Sequence, residues 1–150
     1  MNNDLPIVVV GRKTKYFNFL KVQLKKLKID SSRFIFLKNV SIEELPSIYS
    51  LANVFVYPSL FEGFGIPIIE SLASGTPVIT TKGGCFSEAG GPNSIYINPL
   101  DYEELAFNID HLLTKSELQK KMSISGKKFV KKLNPKELSN ELMETYRSII

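Results

Sequence analysis

The sequence predicts an α/β fold in which a Rossmann-like parallel sheet is flanked by helices. Four short runs are almost continuously apolar, which is typical of strands buried on both faces of a parallel sheet. These runs begin about 20 to 27 residues apart, which leaves room for a crossover helix each time. The length of 150 residues, with 43% apolar and 23% charged residues, predicts one domain over residues 1–150. The four runs are Ile7–Val10, Phe34–Leu37, Val54–Tyr57 and Val78–Thr80.

An amphipathic helix is predicted between the first two strands, because apolar residues and lysines recur on different faces. The lysine face is explained either by contact with solvent or by contact with anionic lipid headgroups at a membrane surface. The apolar face consists of Phe17, Leu20, Leu24 and Leu27, and the lysine face of Lys21, Lys25 and Lys28.

The later elements follow from capping signals and helical periodicity. Ser41 and Glu44 have the spacing of a capping box, which predicts a helix from Ser41 to about Ser50. From Asp101 onward the pattern is wholly helical, and Asn134–Pro135 predicts the start of a last helix. The apolar stripe of that helix is Leu138, Leu142, Met143, Tyr146, Ile149 and Ile150.

Composition excludes several classes of protein. The single Cys85 forms no internal disulfide, and the first residues lack the pattern of a signal peptide, so we expect a cytoplasmic protein. No apolar run approaches the length that a membrane span needs. The net charge of +4 is small and scattered, which argues against a nucleic-acid partner but suits an anionic ligand.

The segment after the third strand, residues 58–70, predicts a ligand-binding loop that leads into a helix. Gly63 and Gly65 flank Phe64 and allow positive φ and a close approach of the backbone to a ligand. Pro67 suits an early helical position, where its missing N–H costs nothing. The start of such a helix favours an anion such as phosphate, and ligands of open α/β sheets bind at the carboxyl ends of the strands.

Glu62 and Glu70 place two carboxylates around this loop. An ionised carboxylate only accepts hydrogen bonds, so two of them suit a ligand rich in hydroxyl groups, such as ribose and hexose. Together with helix amides for phosphate, they describe a nucleotide sugar. The alternative is that Glu70 only complements the helix dipole and Glu62 is a solvated loop residue.

The run from Glu62 to Glu70, followed by residues 71–79, resembles the hallmark motif of the group-1 (GT4-type) retaining glycosyltransferases. The resemblance continues upstream through residues 52–59 and downstream through Gly83, Gly84 and Glu88, and it covers nearly the whole chain.

The resemblance implies a GT-B enzyme with two Rossmann-like halves, of which this chain is most of the carboxyl-terminal, donor-binding half. It implies a UDP- or GDP-sugar donor, a glycan or lipid-linked acceptor, and polysaccharide or glycoconjugate biosynthesis, with possible peripheral membrane contact. By motif position, Glu70 binds the ribose hydroxyls, and Glu62 belongs to the catalytic site, where it positions the transferred sugar. The amides of the residues between them face the diphosphate and sugar, and Val40 meets the base. Those amides belong to Gly63, Phe64, Gly65 and Ile66.

The chain departs from the family pattern in two respects. The strand and helix that carry an Arg and a Lys for the diphosphate are not found before Ile7, and the acceptor-binding amino-terminal half is missing. We therefore expect a fragment of a two-domain enzyme that transfers no sugar by itself. No Asp-x-Asp pair occurs, which fits the metal-independent chemistry of the family, so we expect no metal and no other cofactor.

Other functions remain open at the level of the sequence. A non-catalytic nucleotide-sugar-binding module would share the same motif, as would a phosphorylase-like or epimerase enzyme with the same cleft. A flavodoxin-like signalling domain of the receiver type would need an acidic cluster at the strand ends, which these strands lack. His111 and Cys85 have no partners in the sequence that indicate catalysis, and we assign neither a role.

Overall fold

A computed structural model describes residues 5–12, 14–133 and 135–149. Strands and helices alternate up to the fifth strand, and helices follow, as an α/β fold requires. The strands are β1 Ile7–Val10, β2 Phe34–Leu37, β3 Phe55–Tyr57, β4 Val78–Thr81 and β5 Ile95–Ile97. The helices are α1 Lys15–Lys26, α2 Leu45–Leu51, α3 Ile66–Ser74, α4 Cys85–Gly90, α5 Tyr102–Thr114, α6 Ser116–Lys131 and α7 Pro135–Ile149, with short 3₁₀ turns at Ser31–Arg33 and Gly91–Asn93.

The chain divides into two compact units, Met1–Leu45 and Pro46–Ile150. All strand pairs are parallel, in a two-stranded sheet in the first unit and a three-stranded sheet in the second. The predicted class, parallel sheets flanked by helices, is confirmed. That residues 1–150 form a single domain stays a prediction.

In the first unit, β1 pairs with β2 in register from Ile7 opposite Phe34 to Val10 opposite Leu37. Helix α1 packs through its predicted apolar face: Leu24 is buried, and the ring of Phe17 meets Phe36 edge-on with centroids 4.6 Å apart. The expectation that every apolar strand is buried on both faces is wrong for β1. All four of its residues are 37–45% exposed.

The predicted capping box at Ser41 is present. The Ser41 amide donates to Glu44 Oε2 at 2.8 Å, and the Glu44 amide donates to Ser41 Oγ at 3.3 Å. The helix itself nevertheless begins only at Leu45, four residues later than predicted, after a turn. Pro46 has no N–H to donate to the preceding turn, so the box closes a turn rather than the first turn of the helix.

In the second unit, β4 lies between β3 and β5, and its four residues are buried. Two apolar clusters contribute the core, and each contains one of the neighbouring residues Val78 and Ile79, whose side chains point to opposite faces of the sheet. Strand β5 and helix α4 were not predicted. The buried members of the first cluster are Ile68, Leu72, Val78, Phe86 and Ala89, and those of the second are Ile79, Ile97, Leu112 and Met122.

The carboxyl-terminal part is helical, as predicted. Asp101 caps α5 by accepting a hydrogen bond of 2.8 Å from the Glu104 amide. Helix α7 begins at Pro135, and the described apolar residues of its stripe are 49–76% exposed; Asn134, Ile150 and the Leu138 side chain lie outside the described residues. Within the described ranges, no helix combines the length and the apolarity that crossing a membrane requires.

Candidate functional site

The loop that carries the motif runs from the end of β3 to the start of α3. Two hydroxyls at the end of β4 attach it to the sheet: Thr80 Oγ1 donates to the Tyr57 carbonyl at 2.9 Å, and Thr81 Oγ1 donates to the Ser59 carbonyl at 2.7 Å. Both threonines are buried, so these hydrogen bonds are shielded from water. The loop therefore lies at the carboxyl ends of two parallel strands, where ligands of α/β sheets bind.

Gly65 makes the turn from this loop into α3. It is the N-cap residue, its φ of +90° lies in the left-handed region, and it is buried. A Cβ at this position would lie 3.2 Å from Ile68 Cδ1 and 3.4 Å from Ala89 Cβ. Of the two glycines that allow positive φ in this loop, Gly65 adopts it and Gly63 does not, and an added Cβ at Gly63 would have nothing within 4 Å.

The start of α3 presents backbone donors without partners. Pro67 occupies an early helical position, as predicted, and the Ile68 amide donates to the Gly65 carbonyl at 2.9 Å. Among the described residues, no hydrogen bond is made by the amides of the segment Gly63–Ile66. These N–H groups and the positive end of the helix dipole are suited to an anion.

The Glu62 carboxylate is held by side chains of its own segment. Ser59 Oγ donates to Glu62 Oε1 at 2.9 Å, and the Tyr57 hydroxyl interacts with the same carboxylate. Cys85 Sγ donates to the Glu62 backbone carbonyl at 3.4 Å. Burial, the interaction with Glu62 and the negative charge of Glu62 raise the pKa of Tyr57 to about 12.

The Glu70 carboxylate, one turn into α3, is held by a residue from a different element. The Tyr49 hydroxyl, on α2, donates to Glu70 Oε2 at 3.0 Å. Burial, followed by the hydrogen bond and the charge of Glu70, raises the pKa of Tyr49 well above its ordinary value. The Glu70 carboxylate therefore accepts a charge-assisted hydrogen bond from a neutral tyrosine.

The two tyrosines belong to one set of packed rings, the aromatic row Tyr49–Phe55–Tyr57. Tyr49 meets Phe55 edge-on with centroids 5.2 Å apart, and Phe55 stacks on Tyr57 with centroids 5.8 Å apart. Glu70 is hydrogen-bonded to the tyrosine at one end of the row, and Glu62 interacts with the tyrosine at the other. No sequence pattern predicted a role for Tyr49, Tyr57 or Ser59. The Ser59-x-x-Glu62 spacing is the one local signal that could have indicated such a contact.

The remaining predicted residues are placed as follows. Phe64 is 45% exposed beside the free amides. Val40 lies in the first unit, just after Asn39, whose φ of +54° is left-handed. The contact of Val40 with a base stays a prediction.

His111 stacks on Phe107, with centroids 6.0 Å apart, beside an open surface depression of about 340 Å³ that neither site glutamate lines. No group of three or more described His, Cys, Asp or Glu side chains could hold a metal ion.

Known proteins are similar to this chain in sequence and in fold. The family described as Glycosyl transferases group 1 matches residues 1–129. The O-antigen chain mannosyltransferase RfbU of Salmonella typhimurium is 40% identical over 109 residues, which are 71% of this chain and 30% of that protein. The chain thus spans less than a third of the length of this relative.

Two solved structures extend the comparison. The carboxyl-terminal domain of the group 1 glycosyltransferase LpcC from Francisella tularensis is 28% identical with a TM-score of 0.73, over 84% of this chain and 68% of that one. Anabaena HepE in complex with UDP-glucose has a TM-score of 0.81 over 95% of this chain and 41% of that one; at 20% identity, it shows the fold alone. The motif, the family match and these relatives lead to one conclusion: this chain belongs to the group 1 glycosyltransferases.

Proposed function

We propose that this chain binds a nucleotide-diphosphate sugar, a UDP- or GDP-sugar, as the donor-binding part of a retaining glycosyltransferase. One observation carries the proposal: two hydrogen-bonded carboxylates, Glu62 and Glu70, flank four unpartnered backbone amides at the start of a helix. Carboxylates accept from sugar hydroxyls, and helix amides donate to phosphate oxygens. The presence of UDP-glucose in the HepE structure supports this class of donor.

In the proposed reaction, the bond between the anomeric carbon and the diphosphate breaks, and its electron pair leaves with the diphosphate. The amides of Gly63–Ile66 stabilise the negative charge that develops there, which lowers the barrier without requiring a metal. Glu70 accepts from the ribose hydroxyls, and Glu62 orients the transferred sugar. An acceptor hydroxyl then attacks the anomeric carbon from the face that the diphosphate leaves, forms the new glycosidic bond and gives its proton to an oxygen of the departing diphosphate.

The acceptor is a glycan or a lipid-linked saccharide in this proposal, and the name of the O-antigen chain mannosyltransferase relative supports that class. The chain contributes the donor site, and an amino-terminal half contributes the acceptor surface. Reactant positioning alone represents about 7–11 kcal/mol of a barrier. We therefore propose that the 150-residue chain binds donor but transfers no sugar.

Calorimetric titration with UDP, GDP, UDP-glucose and GDP-mannose tests the donor site. We expect Glu70→Ala to weaken nucleotide binding by about 1.5–3 kcal/mol, the usual worth of hydrogen bonds to a charged group. Glu62→Ala should mainly reduce the preference for a nucleotide sugar over the bare diphosphate. The matched control is Glu103→Ala on α5, which removes an exposed glutamate outside the site.

Three results would contradict the proposal. The absence of binding by the unmodified chain to every nucleotide tested would refute a donor site. If the two site substitutions and the control all have equal, negligible effects on nucleotide binding, Glu62 is only a solvated loop residue and Glu70 only complements the helix dipole. The rate of sugar transfer is measured for the 150-residue chain and for a protein that contains both halves. Substantial transfer by the chain alone would contradict the proposal that the acceptor surface lies in the other half.

A further inference from the structure

The two site carboxylates, at opposite ends of the aromatic row Tyr49–Phe55–Tyr57, are held in different ways. Glu62 is held by Ser59 from within the same loop, three residues away. Glu70 is held by Tyr49, which is 21 residues away in sequence and lies on another helix. A contact of the second kind depends on the packing of α2 against the rest of the unit, so it can fix a side chain relative to the sheet.

Tyr49 is itself held at both its ring and its backbone. Its ring packs edge-on against Phe55, and the Phe55 amide donates to the Pro77 carbonyl at 2.8 Å, just before β4. Its backbone carbonyl accepts a hydrogen bond from the hydroxyl of Thr76, which is 2% exposed. The phenol therefore has little freedom to rotate away from Glu70.

The Tyr49 hydroxyl occupies only one oxygen of the Glu70 carboxylate. It donates to Oε2, and no described residue donates to Oε1. A glutamate side chain with three free torsions loses conformational entropy when a ligand orders it. Because the tether orders it beforehand, a ligand that uses Oε1 meets an acceptor that is already oriented.

We propose that Tyr49 is a positioning residue for the donor: its hydroxyl orients Glu70 so that Oε1 accepts the ribose hydroxyls, which sets a preference for ribonucleotides over their deoxy analogues. The inference rests on the proposed donor site and deepens it, because it names the feature of the nucleotide that this residue makes selective. Tyr49 does not touch the reacting atoms. Its contribution is made through Glu70.

Substitution of Tyr49 by phenylalanine tests this inference, because it keeps the ring that packs on Phe55 and removes only the hydroxyl. The matched control is Tyr96→Phe. Tyr96 is also a half-buried tyrosine of the same unit, but its hydroxyl donates to the backbone carbonyls of Gly91 and Ser87 rather than to a carboxylate. Thermal unfolding of both variants measures the loss of stability that any buried hydroxyl would cause.

The readout is the ratio of the affinities for a ribonucleoside diphosphate and for its 2′,3′-dideoxy analogue. The ribonucleoside diphosphate is UDP or GDP, whichever the unmodified chain binds more tightly. We expect the unmodified chain to favour the ribonucleotide by about tenfold or more, since a hydrogen bond to a charged acceptor is lost in the analogue. Tyr49→Phe should reduce that ratio several-fold through weaker ribonucleotide binding, and Tyr96→Phe should leave it unchanged. In a Glu70→Gln background, Tyr49→Phe should change the ratio no further.

Glu70→Asp provides a second test in case Tyr49→Phe does not fold. It keeps the charge and the aromatic packing but withdraws the carboxylate from the Tyr49 hydroxyl, so the same loss of discrimination is expected. Full discrimination in folded Tyr49→Phe would overturn the positioning role while leaving the donor site intact. Full discrimination in folded Glu70→Asp would overturn the contact between Glu70 and the ribose, and with it the positioning role. Equal binding of ribonucleotide and analogue by the unmodified chain would overturn the positioning role through Glu70. No nucleotide binding at all would overturn the proposed function instead.

Discussion

Replacement of Gly65 by alanine is expected to destabilise the second unit and to disturb the start of α3. Gly65 has a φ of +90°, a conformation that costs an L-amino acid with a Cβ about 1–2 kcal/mol. The new methyl group would also lie 3.2 Å from Cδ1 of Ile68, a residue with no exposed surface. Since Ile68 is packed in the core, it has little room to move away.

These two effects act in the same direction, and together they predict a loss of about 1–3 kcal/mol in the free energy of unfolding. For a chain of this size, each kcal/mol corresponds to about 2–4 °C in Tm. The same change alters the direction of the free amides at Gly65 and Ile66. We therefore expect weaker binding of the nucleotide diphosphate in addition to the lower stability.

Urea denaturation followed by far-UV circular dichroism measures the stability, and the matched control is Gly63→Ala. That substitution adds the same methyl group to the same loop, but Gly63 is not in the left-handed region and nothing lies within 4 Å of the new Cβ. Its expected change is within about 0.5 kcal/mol. Equal stability of the two variants would refute the conclusion that Gly65 alone requires a glycine in this turn.

Three further predictions concern stability. Gly91→Ala should destabilise the chain more than Gly65→Ala, because φ is +62° and the new Cβ would lie 2.8 Å from the Phe129 ring; thermal unfolding compares them. Stability should fall between pH 10 and 12, because the pKa of Tyr57 is raised to about 12 on folding and the unfolded chain therefore loses its proton first. The denaturation midpoint of Tyr57→Phe should fall less steeply with pH, between pH 8 and 11, than that of the unmodified chain. Glu104→Gln should make the free energy of unfolding less sensitive to acid below about pH 4.5 than it is in the unmodified chain. The reason is that the hydrogen bond from the Asn98 amide lowers the pKa of Glu104 on folding. Urea denaturation midpoints measured from pH 6 to 3 test this.

The parts of the fold that local patterns control were predictable. Apolar runs located four of the five strands to within a residue, because β-branched and aromatic residues fit the pleated, half-buried surface of a sheet. Strand β5 was missed: its three residues are too few to show a period, and only the ladder with β4 makes them a strand. Burial was predicted correctly for β4 and wrongly for β1, since an apolar run shows the capacity to be buried but not which neighbours cover it.

The same division applies to the candidate site. Sequence alone indicated the loop, the helix that follows it, Pro67 in its first turn and both glutamates, because these features depend on residues close together in the chain. Only the tertiary structure showed that Tyr49 holds Glu70 across 21 residues, that Gly65 and not Gly63 is the left-handed residue, and that buried threonines attach the loop to β4. Local conformational preferences act over a few residues and can be read from the sequence. Contacts between distant residues depend on how helices and strands pack, and no local pattern encodes them.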